Sequence, residues 1–97
     1  MNTIDIYKLL NLNNPIIIDI RYKYDYIKGN IPNSINIPYY HLERNYSHFL
    51  NNIDTYYLYC YYGDRGKELC QKLSLKNYNV VNIEGGYNSY LNNKKTH

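Results

Sequence analysis

The stretch YYLYCYYGDRGKELC, Tyr56 to Cys70, holds both cysteines of the chain. Its apolar-aromatic run ends on a thiol, and Gly63, Asp64, Arg65 and Gly66 follow almost at once. Tyr56 to Cys60 reads as a buried strand. Behind the loop, GKELCQKLSLKN reads as a helix beginning near Gly66, with Leu69, Cys70 and Leu73 on its apolar face.

The flanking segments repeat this alternation. IIIDI, Ile16 to Ile20, is a β-branched run without polar alternation, as in a strand covered on both faces. SINI, Ser34 to Ile37, and NVVNI, Asn79 to Ile83, predict two more strands. Between them, NTIDIYKLLN predicts a first helix capped by Asn2 or Thr3, and YKYDYIKGN a short one ending at Gly29. YYHLERNYSHFLNN is loosely helical, with Leu42, Phe49 and Leu50 as its buried positions. Gly85-Gly86 leads into a last helix, Tyr87 to Leu91. The expected fold class is α/β: a central parallel sheet of four to five strands with helices on both faces, in a single domain spanning 1–97.

Composition narrows function mainly by exclusion. The net charge of +3 is scattered along the chain, and outside Lys94-Lys95 there is no basic stripe for nucleic acid. No apolar run is long enough to span a membrane, and the first residues lack the pattern of a secretory signal. The two thiols are therefore expected to be free, in a reducing cytoplasm. There are fifteen tyrosines and no tryptophan, so a single tyrosine carries little signal by itself. His41 and His48 have no partners at ligand spacing. No metal site and no cofactor are expected.

In open α/β sheets, ligands bind beyond the carboxyl ends of the strands. Cys60 lies at such an end and faces a helix N-terminus, where free amides and the helix dipole attract an anion. Gly63 and Gly66 let the surface loop curl tightly, since positive φ costs glycine nothing sterically. A cradle of this kind favours a thiolate nucleophile. The residues alone leave a second reading open, a buried cysteine before an ordinary βα loop. Position 63 is glycine, so there is no Cys-x-x-Cys redox pair. A tyrosine-phosphatase loop needs one more residue between its cysteine and arginine than Tyr61, Tyr62, Gly63 and Asp64 supply.

Cys60-Tyr61-Tyr62-Gly63-Asp64-Arg65-Gly66 resembles the active-site loop of the rhodanese family. Three further motifs agree in order: IIIDIR (Ile16 to Arg21), YIKGNIPNSINIP (Tyr26 to Pro38) and YNVVNIEGGYNSY (Tyr78 to Tyr90). The resemblance implies a sulfurtransferase in which Cys60 accepts a sulfane sulfur as a persulfide. The donor would be thiosulfate, another small sulfur-containing anion or a persulfide; the acceptor would be cyanide or a thiol, including a protein thiol. Tyr61, Tyr62, Gly63, Asp64, Arg65 and Gly66 would form the substrate-binding loop, with Arg65 bracing it and binding anions. A non-catalytic binding or sensing module is the alternative, although silent members of the family usually lose this cysteine.

Several positions depart from the family pattern. Asn30 replaces a histidine and Tyr90 a tryptophan, both at packing positions. Gly66 replaces a common serine. Asp64 stands where many thiosulfate-using relatives carry a basic or neutral residue, so it is expected to repel a doubly charged donor. The family's short first strand is expected to be missing or cut short. Asp19 and Arg21 are expected to brace the structure, and Cys70 to be a buried structural thiol.

Overall fold

Successive side chains of a strand point to opposite faces, and here both faces are covered. Ile18, Leu58 and Val80 join one apolar cluster with Leu42, Leu69, Cys70 and Leu73. Ile17, Tyr59 and Ile83 join the other, with Ile6 and Leu9. The computed structural model describes residues 2–95. Five strands run β1 Asn2–Ile4, β2 Ile16–Asp19, β3 Ile35–Asn36, β4 Thr55–Tyr59 and β5 Asn79–Ile83. All pair in parallel, in the order β1-β5-β4-β2-β3.

Six helices connect and follow the strands: α1 Ile6–Leu10, α2 Lys23–Lys28, α3 Tyr39–Arg44, α4 Tyr46–Phe49, α5 Asp64–Ser74 and α6 Gly86–Lys95. Residues of α3 and α5 pack on one face of the sheet, and residues of α1 and α6 on the other. From β2 the chain moves outward to β3, whereas from β4 it moves the opposite way to β5. The crevice between the carboxyl ends of β2 and β4 is therefore the topological switch point.

The structure corrects several sequence expectations. The short first strand is present: Asn2, Thr3 and Ile4 pair with Val81, Asn82 and Ile83. The first helix is accordingly capped by Asp5, whose side chain accepts a hydrogen bond from the Lys8 amide at 2.8 Å, rather than by Asn2 or Thr3. The loosely helical segment divides at Asn45 into α3 and α4, and Phe49 is exposed while Leu42 and Leu50 are buried. The helix after Cys60 begins at Asp64, not Gly66. The last helix extends well past Leu91. Among the described residues, no helix is long and apolar enough to cross a membrane.

One buried ion pair ties the carboxyl end of β2 to its surroundings. Arg21 Nη2 lies 2.6 Å from Asp19 Oδ2 and donates a further hydrogen bond to the Gly29 carbonyl at 2.7 Å. Burial alone would lower the guanidinium's proton affinity, but the hydrogen bonds and charge of Asp19 outweigh it and leave the pKa raised. The same guanidinium lies 4.2 Å from the centre of the Tyr87 ring and 5.6 Å from that of Tyr59. Asn36 Nδ2 donates to the carbonyls of Asp19 and Arg21 at 3.0 and 2.9 Å, anchoring β3 to the same point.

Arg21→Leu would strand a fully buried carboxylate. The expected loss is about 3–5 kcal/mol, read as a lower urea midpoint with an unchanged m-value. A loss below about 1 kcal/mol, the range of an exposed pair, would contradict this bracing role.

Candidate active site

Strand alternation places Cys60 on the same face as Leu58, beneath the start of α5. Cys60 is the first residue after β4 and is 7 % exposed. Its Sγ accepts hydrogen bonds from the amides of Gly63 at 3.0 Å and Gly66 at 3.4 Å. These two donors curl around the sulfur because Gly63 caps α5 in the left-handed region, at φ 107°. A side chain at Gly63 would be strained by that φ, and its Cβ would lie 3.1 Å from the Gly85 amide nitrogen. Gly63 and Gly66 are both buried, so this part of the loop is not at the surface.

Gly66 does not use positive φ; it lies inside α5, in the first two turns. Its lack of a side chain serves close packing instead. A Cβ there would collide with Oδ1 of Asn82, a buried residue of β5. That oxygen has no hydrogen-bond partner among the described residues.

The other side of the loop is tied to α6. The amides of Tyr87 and Asn88 donate to the carbonyls of Cys60 and Tyr61, each at 2.9 Å. Gly86 permits this approach: a Cβ there would run into both carbonyl oxygens.

Above the thiol opens a cavity of about 300 Å³ lined by Ile20, Arg21, Tyr22, Asp25, Tyr39, Tyr40, Cys60, Tyr61 and Arg65. It occupies the switch point between β2 and β4. Of the loop residues read from the sequence, Cys60, Tyr61 and Arg65 line it, while Gly63 and Gly66 supply amides from below. Tyr62 and Asp64 are exposed and outside its lining. Tyr22, Asp25, Tyr39 and Tyr40 are lining residues that sequence reasoning missed. Their place after the carboxyl ends of β2 and β3 was the available signal, submerged in a tyrosine-rich chain.

Arg65 stands on Tyr39, with its guanidinium 4.7 Å from the ring centre. The Tyr39 hydroxyl donates to Glu68 and accepts from Lys72 Nζ at 3.1 Å, and Lys72 also bridges to Glu43 at 2.5 Å. Burial first, then hydrogen bonding to Glu68, raises the Tyr39 pKa. This cluster joins α3 to α5 on the Arg65 side of the cavity.

Cys70 is fully buried, and its pKa is pushed up to about 12, by burial first and then by nearby Cys60. It stays a neutral thiol at physiological pH. Among the described residues, no group of three or more His, Cys, Asp or Glu side chains is placed to hold a metal.

Residues 3–93 match the family model described as the rhodanese-like domain. The chain belongs to the rhodanese-like family. A rhodanese-related protein from Thermoplasma volcanium superimposes with a TM-score of 0.83 at 29% identity, covering 96% of this chain and 93% of that one. A human single-domain sulfurtransferase shares the fold, with a TM-score of 0.81 at 24% identity over 95% and 96% of the two chains. Among curated proteins, a probable molybdopterin-synthase adenylyltransferase from Pyropia yezoensis is 30% identical over 95 residues. Those residues are 95% of this chain, which spans about a quarter of that relative's length. Against the rhodanese pattern, Asn30 makes a local hydrogen bond to the Tyr26 carbonyl at 2.9 Å. Tyr90 stacks on Tyr87 with ring centres 5.9 Å apart.

Gly66→Ala is expected to destabilise the protein by about 1–3 kcal/mol through overpacking against Asn82. Gly63→Val is expected to cost about 1–3 kcal/mol through backbone strain. Both should also slow alkylation of Cys60, because each displaces an amide from the sulfur. Melting curves and iodoacetamide kinetics would check this; wild-type alkylation rates in both variants would refute the two-amide cradle.

Proposed function

We propose that this chain, as one rhodanese-like domain, is a sulfurtransferase that carries a sulfane sulfur as a Cys60 persulfide. The observation that carries the reading is the pair of amides aimed at Cys60 Sγ beneath an open cavity. Charge-assisted hydrogen bonds of this kind contribute about 1.5–3 kcal/mol each. The N-terminus of α5 adds roughly 0.3–1 kcal/mol for a negative charge. Among the described residues no histidine lines the cavity, and backbone electrostatics takes the place of a paired base.

In the first half-reaction the Cys60 thiolate attacks the sulfane sulfur of a donor. A new S–S bond forms at Sγ, and the donor leaves with the electron pair of its broken bond, as sulfite from thiosulfate or a thiolate from a persulfide. In the second, cyanide or an acceptor thiolate attacks the outer sulfur and releases the Cys60 thiolate. The amides that hold the thiolate are available at both ends of the cycle, so little reorganisation is needed. Arg65, on the cavity wall, attracts an anionic donor. The setting proposed is a reducing cytoplasm.

Cys60 is expected to be the sole carrier of transferable sulfur. Cys60→Ser should lose transfer to cyanide and gain no sulfur by intact mass after donor exposure, while Cys70→Ser should keep both. Loss of activity only in Cys70→Ser would overturn the assignment. A binding module without turnover would show no transfer in the wild type with any donor.

Asp64 is exposed, so solvent screens its charge, and such charges change interactions by about 0.2–1 kcal/mol. Asp64→Lys should therefore lower the KM for thiosulfate about twofold to fivefold, with a smaller effect for a singly charged persulfide. An unchanged thiosulfate KM would remove Asp64 from any role in donor choice.

A further inference from the structure

The cavity over Cys60 is lined by one cation, Arg65, and one anion, Asp25, that form no close ion pair among the described residues, although Glu68 lies near enough to Arg65 to feel its charge. Arg21 lines it, but Asp19 neutralises Arg21. Arg65 forms no ion pair among the described residues and rests on Tyr39, keeping its charge at the wall. Asp25 is half-buried on α2, also lines the cavity, and has neither an ion pair nor a side-chain hydrogen bond among the described residues. Its position in the first turn of α2 suits the helix dipole.

Asp25 lines the cavity without a side-chain partner among the described residues, so an ammonium bound there would gain a charge-assisted contact. Thiosulfate offers nothing to Asp25 and is repelled by it. A ligand bearing both an ammonium and a carboxylate satisfies Asp25 and Arg65 together. The remaining walls, Tyr22, Tyr39, Tyr40 and Tyr61, suit the carbon skeleton of such a ligand, and about 300 Å³ is the lower end of small-molecule sites.

We infer that the donor is a small zwitterionic persulfide of the α-amino-acid type, its ammonium held by Asp25 and its carboxylate by Arg65. The inference rests on the sulfurtransferase reading above. The step balances without an added oxidant or reductant. The Cys60 thiolate attacks the terminal sulfur of R–S–SH, the Sγ–S bond forms, and the donor's own S–S bond breaks. R–S⁻ departs with the electron pair, and the terminal proton stays on the new Cys60 persulfide.

The test compares three donors on the full chain, with thiocyanate formation from cyanide as readout: cysteine persulfide, its N-acetyl derivative, which lacks the ammonium, and thiosulfate. In the wild type, kcat/KM for cysteine persulfide should exceed that for the N-acetyl derivative about tenfold or more, the worth of one charge-assisted hydrogen bond. In Asp25→Asn that ratio should fall toward one and KM for thiosulfate should drop, with a melting curve confirming an intact fold. A wild-type ratio near one, or a ratio unaltered in Asp25→Asn, overturns the inference while leaving the sulfurtransferase reading standing. No thiocyanate from any donor overturns that reading, and the inference with it.

Discussion

The hydrogen bonds from the first amides of α6 to the carbonyls of Cys60 and Tyr61 are the constraint on which the site depends. They fix the peptide planes that leave β4 and so determine where Sγ lies relative to α5. The loop is held from two sides by helix N-termini of different use. The start of α5 donates to the sulfur, and the start of α6 donates to the backbone carrying it. Every donor is a backbone group, so the arrangement depends on glycines that let backbones meet rather than on particular side chains.

Tyr87 links this loop to the rest of the molecule. Its amide binds the Cys60 carbonyl, its ring lies under the Arg21 guanidinium, and it meets Tyr61 in a T-shaped contact with ring centres 6.1 Å apart. Arg21 in turn holds Asp19 and the Gly29 carbonyl, so the carboxyl ends of β2 and β4 share one hydrogen-bonded and stacked assembly. The cavity is the space this assembly leaves open at the switch point. Removing charge from its centre would unsettle both walls at once, because the desolvation cost of the ion pair is offset only while both partners remain.

Elements with strong local patterns were legible in the sequence. β5 runs Asn79–Ile83, as its apolar pattern indicates, and β4 ends at Tyr59, one residue before the cysteine that its apolar run reaches. β1 was not legible, since three residues have no periodicity and are a strand only through pairing with β5. The start of α5 was misplaced because glycine disfavours helix interiors, whereas contact with Asn82 makes glycine necessary at position 66. Phe49 appeared to be core by composition but is exposed on α4, a single short turn. The cavity's tyrosines and Asp25 come together from separate loops, and no local pattern encodes that meeting.

The close fit of Gly66 against Asn82 also bears on how this sequence can change. A side chain at position 66 has no room while asparagine stands on β5, and shortening Asn82 first would open a void beneath the start of α5. The unpartnered amide oxygen and the bare helix position meet at one contact. A variant that places a hydroxyl-bearing residue at position 66 must therefore tolerate this clash or alter both sites together. Two residues sixteen positions apart are thereby constrained as one unit.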